Sequence, residues 1–159
     1  MKLSNIIIFL AMIFSCNTIN QPKPKGYLAL NYPKSNYNQF LKQKFPFSFE
    51  YNNIAKVEEI SEFGYKVLYP DMKATIYLNY YKVNQNLDSL LNDAYKLPYK
   101  HIVKAIEIPE KIFINKKEKV YGTLFSVVGN AASQFQFFLT DSSNNFLVGS
   151  LYFYSKPNY

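Results

Sequence analysis

Proton transfer, nucleophilic attack and metal ligation each need particular side chains held close together, and this sequence offers few. His101 is its single histidine and Cys16 its single cysteine. The carboxylates are Asp71, Asp88, Asp93, Asp141 and seven glutamates. None is paired inside an apolar segment, where one acid could be tuned against another. A transition-metal site wants three or four nitrogen, sulfur or carboxylate ligands at defined spacing, and one histidine with one cysteine cannot supply them. His101 lies among lysines on a predicted helical stretch, the ordinary place for a surface histidine. Asp141 follows a strand, as catalytic acids can. It also opens Asp141-Ser142-Ser143-Asn144-Asn145, a run of turn formers. There is no GxSxG elbow and no phosphate loop. The expectation is a protein that is not an enzyme, with no catalytic residues, no metal, no cofactor and no small-molecule substrate.

The lone cysteine suggests a different chemistry. Lys2 is the only charge among the first twenty residues, and Ile6 to Phe14 is an unbroken apolar run. A membrane-spanning helix needs about 20 apolar residues, so this run is too short to span. A charged start, a short apolar stretch and a small residue before the cut describe a signal peptide. Ile13-Phe14-Ser15-Cys16 is a loose lipobox: the Cys16 thiol can take a diacylglyceryl group, and the amine freed by cleavage before it can take a third chain. The reading is a signal peptide over 1–15, a lipidated N-terminus and polar, proline-containing tether over 16–26, and one domain over 27–159. A lipidated Cys16 leaves no thiol for an internal disulfide, so packing alone must hold that domain.

The net charge is +7 and the pI about 9.3. Every cation is lysine; arginine is absent. Bidentate recognition of bases and phosphates favours the arginine fork, and the lysines are scattered, so nucleic acid is not an expected partner. Solubility and loose attraction to anionic lipid or glycan suit the charge better.

The elements that must carry any site are legible as periodicities. Phe47, Phe49 and Tyr51 alternate with Ser48 and Glu50. Tyr65, Val67 and Tyr69 alternate likewise, and Ala74, Ile76, Leu78 and Tyr80 share a face opposite Thr75 and Asn79. Period two in β-branched and aromatic residues predicts strands, with Pro70-Asp71 as a turn. Leu87, Leu90, Leu91 and Ala94 then form one helical stripe, with Asn86 as its predicted cap. Tyr99, Ile102, Val103 and Ile106 repeat the helical spacing beyond a break at Pro98. Strands return at Lys111 to Asn115 and at Val120 to Val128, which is apolar on both faces and reads as central. Phe135 to Leu139 and Phe146 to Tyr154 form a closing hairpin around the Asp141 turn. The predicted fold class is α+β, a single antiparallel sheet with one or two helices packed on it. By analogy alone, the order looks like the PsbP/Mog1-like arrangement.

Residues 129–159 concentrate aromatics after the small-residue bend Gly129-Asn130-Ala131-Ala132-Ser133. Aromatics on a sheet face serve as core, or as a protein-binding or sugar-stacking surface. Candidate partner contacts are Tyr152, Tyr154 and Tyr159, with Asn130 and Gln134 as polar supports.

Taken in order, several segments resemble the GldD family of gliding-motility lipoproteins of the Bacteroidetes. They are PKPKGYLALNYP (Pro22 to Pro33), FPFSFEYN (Phe45 to Asn52), YPDMKATIYLNY (Tyr69 to Tyr80), LNDAYKLPYKH (Leu91 to His101) and the whole of Val120 to Tyr159. The resemblance implies an accessory lipoprotein of gliding motility and type IX secretion, whose partners are proteins of that machinery. It implies no enzymatic activity and no catalytic residues. It also implies cysteines near Phe45 and Phe63, which this chain lacks, and a C-terminal helix past KPNY, which would make this a shortened or divergent member. Acidic residues soon after the cysteine promote surface export of such lipoproteins. Residues 17–21 carry none, so the expected location is the outer membrane, facing the periplasm. The alternative reading is a lipid-anchored periplasmic module that binds glycan or peptidoglycan.

Overall fold

A computed structural model describes residues 34–42, 45–100, 104–129 and 131–154. The chain divides into two units, Met1–Lys34 and Ser35–Tyr159, and almost all described residues belong to the second. That unit contains strands β1 (Tyr37–Phe40), β2 (Phe49–Asn52), β3 (Lys56–Ser61), β4 (Gly64–Tyr69) and β5 (Ala74–Lys82). Helix α1 (Leu87–Tyr99) follows. After it come β6 (Ala105–Glu107), β7 (Glu110–Asn115), β8 (Val120–Ser126), β9 (Val128–Gly129), β10 (Ser133–Thr140) and β11 (Asn145–Phe153).

Seven of these strands form one antiparallel sheet in the order β3-β4-β5-β11-β10-β8-β7. Two small antiparallel sheets flank it, β1-β2 and β6-β9. Alternation sorts the side chains of the large sheet onto two faces. Tyr65, Val67, Ile76, Leu78, Tyr80, Phe137 and Leu147 face the β1-β2 ribbon, which brings Phe40, Phe45, Phe47, Phe49 and Tyr51 onto them. Phe40 stacks on Phe49 with ring centroids 4.7 Å apart, and Tyr65 meets Phe40 and Phe45 edge-on at 5.1 and 5.0 Å. The opposite face carries Phe125, Phe138, Phe146 and Val148, and α1 lays Leu87, Leu90, Leu91 and Ala94 against them. Phe138 stacks on Phe146 at 5.5 Å, and Tyr95 of α1 meets Phe125 edge-on at 5.3 Å. The domain is therefore ribbon, sheet and helix in three layers, with a core on each side of the sheet.

Residues of the central strands are chosen for close approach. The Phe137 ring lies over Gly149, its cross-strand neighbour, so closely that a β-carbon at 149 would enter the ring. The turns between β4 and β5, β7 and β8, and β10 and β11 each place one residue in the left-handed region, Lys73, Lys119 and Ser142.

The predicted α+β class is corrected. Strands hold 56% of the described residues and helix 11%, so the fold is mostly β, with one helix. Two physical reasons account for this. The helical spacing past Pro98 does not make a helix at its far end: Ile106 lies in β6, paired with β9, and is 81% exposed. Pro98, buried and without an N–H, sits in the last turn of α1, which ends one residue later. Ile102 and Val103 lie outside the described residues. A strand ribbon, not a helix, covers the other sheet face. Asn86 precedes α1 as expected, but its side chain accepts from the Asn84 N–H at 2.8 Å and does not cap the helix. No helix among the described residues is long and apolar enough to cross a membrane.

Candidate functional site

The described candidate contacts gather at one end of the large sheet, on strands fixed by long ladders. Tyr152 of β11 stands opposite Thr75 of β5 on one side and Ser133 of β10 on the other. The ladder slips between Ser133 and Phe135, which leaves Gln134 as the extra residue of a bulge beside Tyr152. The Gln134 carbonyl accepts from the Val127 N–H at 2.8 Å, and its side chain is half-buried. Tyr154 follows β11, anchored by its own N–H donating to the Lys73 carbonyl at 2.7 Å, and is 64% exposed.

Tyr77 joins them from β5. Its ring meets Tyr152 edge-on at 5.7 Å, and its hydroxyl lies 3.1 Å from that of Tyr154. The two phenols shift in opposite directions. Tyr154 is lowered from the usual phenol value by the Thr75 hydroxyl first and by Tyr77 second, against a smaller effect of burial. Tyr77 is raised, first by its hydrogen bond to Tyr154 and then by burial. Either hydroxyl can donate in the hydrogen bond between them. The Thr75 hydroxyl is buried and, among the described residues, makes no hydrogen bond of ordinary geometry. Lys66 of β4, opposite Tyr77, adds a positive charge and is itself held by Glu58 at 2.9 Å.

Tyr77, Thr75 and Lys66 were not among the sequence candidates. The available signal was an aromatic on the polar side of the β5 alternation, sharing that side with Thr75 and Asn79. Asn130, Tyr159, Cys16 and His101 lie outside the described residues.

Asp141 has a structural task. Its Oδ1 accepts from the backbone N–H groups of Ser143, Asn144 and Asn145 at 3.0, 2.8 and 2.9 Å, and its Oδ2 from the Asn145 side-chain amide at 2.6 Å. Asn145 in turn accepts from the Tyr80 hydroxyl at 2.7 Å. Burial pushes the carboxyl up, but these donors outweigh it and hold Asp141 well below the usual carboxylate range. A carboxylate saturated by its own turn is a lock on the β10-β11 hairpin. A second cluster ties the segment after β1 to the sheet edge: Lys42 and Tyr65 both reach Glu59, at 2.9 and 3.1 Å. Among the described residues no group of three or more His, Cys, Asp or Glu side chains could hold a metal ion.

Comparison with known proteins gives one result. A family model described as gliding motility lipoprotein GldD matches residues 17–159. No curated protein and no solved structure matches the chain.

Proposed function

The chain belongs to the gliding motility lipoprotein GldD family, and from that premise we propose that it works by binding proteins of the gliding and type IX secretion machinery, without turnover. A lipoprotein of this family is an accessory component anchored to a membrane. In this reading residues 1–15 are removed, Cys16 carries the lipid, and residues 16–26 tether the domain to the outer membrane, facing the periplasm. A family match that begins at residue 17, beside Cys16, supports that anchor. The absence of acidic residues from 17 to 21 supports the inward orientation.

One observation carries the binding role. Tyr154 is largely exposed yet fixed, by Lys73 through the backbone and by Tyr77 through the phenol. A rigid, amphipathic aromatic offered to solvent at low entropic cost is what interfaces use as an anchor. Tyr77 supports it directly, Tyr152 lies next to Tyr77, and Gln134 lies next to Tyr152 on the adjacent strand.

The test is crosslinking in intact cells with Tyr154→Ala. The variant keeps its melting temperature, captures several-fold less of its protein partner and glides less. Normal capture and gliding by a folded Tyr154→Ala protein overturns the role of this surface. Binding of the purified lipoprotein to isolated peptidoglycan, with no protein captured, would replace the protein partner by a glycan. Cys16→Ala abolishes labelling by a fatty-acid analogue and releases the protein from membranes; continued labelling refutes the anchor. Protease added to whole cells leaves the protein intact, and digestion without lysis refutes the inward orientation.

A further inference from the structure

The two edges of the seven-stranded sheet differ in a way that points to a partner. An edge strand exposes unpaired backbone donors and acceptors, and charges along it discourage pairing with another chain. Strand β3 is protected in this manner, with Lys56, Glu58 and Glu59 exposed. Strand β7 is not. Among the described residues it pairs with β8 alone, and its middle is Ile112-Phe113-Ile114, exposed by 71, 51 and 60%. Three consecutive large apolar residues in an extended edge strand, apolar on both faces, favour the addition of another strand.

We propose that β7 is a homodimer edge: two copies of this chain pair their β7 strands antiparallel about a two-fold axis at Phe113, making one continuous sheet. The pattern of the strand selects a second copy as the occupant. In that register Phe113 faces Phe113, Ile112 faces Ile114 and Lys111 faces Asn115. At both ends Glu110 comes to Lys116, the first residue of the turn after β7. Every apolar residue meets an apolar residue on the same face of the sheet, and the only opposed charges are opposite in sign. Sliding one copy by two residues destroys the match. Centred on Ile112, it sets Phe113 against Lys111 and Ile114 against Glu110. Centred on Ile114, it sets Phe113 against Asn115 and carries Lys111 and Ile112 past the end of the partner strand, beside the lysine-rich turn. An isologous two-fold contact requires this self-complementarity of one patch with itself. Six-residue edges make a small interface. Anchoring to a membrane offsets that, because two tethered copies meet at a high effective concentration.

The experiment uses the full-length lipoprotein in its membranes, with cysteines placed on the strand and mild oxidation. Directly opposite residues of antiparallel strands have Cα atoms about 4.5–5.5 Å apart, within disulfide reach. Phe113→Cys therefore gives a reducible dimer of twice the monomer mass. Lys111→Cys alone does not, because the two copies of residue 111 lie roughly 13 Å apart along the strands. Lys111→Cys combined with Asn115→Cys restores the crosslink. Glu110→Lys in the Phe113→Cys background lowers its yield about tenfold, and adding Lys116→Glu recovers it. Both of these variants lose the Tyr99 hydroxyl bond to Glu110, so the recovery reads the contact between copies alone. Circular dichroism shows each variant folded, and dimerisation measured with the charge swap in otherwise native protein decides the matter should Phe113→Cys fold poorly. The proposal is overturned if Phe113→Cys crosslinks no better than Lys56→Cys on the opposite edge, or captures a different protein. It is also overturned if Lys111→Cys alone crosslinks equally well, or if the charge swap has no effect.

Discussion

Replacing Asp141 by alanine strips the β10-β11 turn of the acceptor for four donors at once: the N–H groups of Ser143, Asn144 and Asn145, and the Asn145 amide. A hydrogen bond to a charged group contributes about 1.5–3 kcal/mol in a protected setting. These four are not additive, and water replaces the exposed ones, as it does when a helix loses its N-cap at a cost of about 0.5–2 kcal/mol. Asn145 also loses the partner that orients it toward Tyr80. About 2 kcal/mol is therefore expected for Asp141→Ala, a fall in melting temperature of roughly 6–10 °C for a domain of this size. Asp141→Asn keeps an acceptor for the backbone donors and costs about half as much. Thermal melting of the lipoprotein in mild detergent, followed by circular dichroism, measures both. The pH dependence supplies an internal check. The folded pKa of Asp141 is depressed, so its stabilisation is complete above the ordinary carboxylate pKa of about 3.9 and is lost as pH falls toward the folded value. The gap in melting temperature between native protein and Asp141→Ala should be constant from neutral pH to about pH 5 and narrow below about pH 4. An Asp141→Ala protein as stable as the native one refutes the turn-lock reasoning. If that stable protein also fails to support gliding, Asp141 acts on a partner or substrate instead.

Phe125→Ala, at a position 1% exposed between α1 and the sheet, should cost about 3–5 kcal/mol and broaden or abolish the melting transition. Gly149→Ala pushes a methyl group into the Phe137 ring and should cost about 1–3 kcal/mol. Adding Phe137→Ala should recover part of that loss, a non-additivity that a double-mutant cycle reads directly. In an ultraviolet titration Tyr154 should ionise below the usual phenol value and Tyr77 above it. Tyr154→Phe should bring Tyr77 back toward the ordinary value, and an unmoved Tyr77 would mean that the two hydroxyls do not share a proton in solution.

Local periodicity was enough to place the strands around Tyr65 to Tyr69, Ala74 to Tyr80 and Phe135 to Leu139, because alternation of side chains is a property of extended backbone and needs no partner. The same holds for the stripe Leu87, Leu90, Leu91 and Ala94, whose spacing puts four side chains on one face of a helix wherever the helix lies. The Asp141 turn was equally legible, since its hydrogen bonds close within five residues. The tertiary structure decided the rest, because strand identity there depends on hydrogen bonds from distant chain. Ile106 carries helical spacing yet lies in a strand because β9 offers a ladder. Strand β3, polar and exposed, is a strand because β4 lies beside it. Pairing across β4, β5 and β11 likewise decided the tyrosine cluster. Tyr77 and Tyr154 are 77 residues apart in sequence, and only the antiparallel register sets Lys66 opposite Tyr77 and brings the Tyr77 hydroxyl to that of Tyr154. Patterns that a segment satisfies alone were fixed by its own residues, and contacts that need two segments in register were fixed by the sheet.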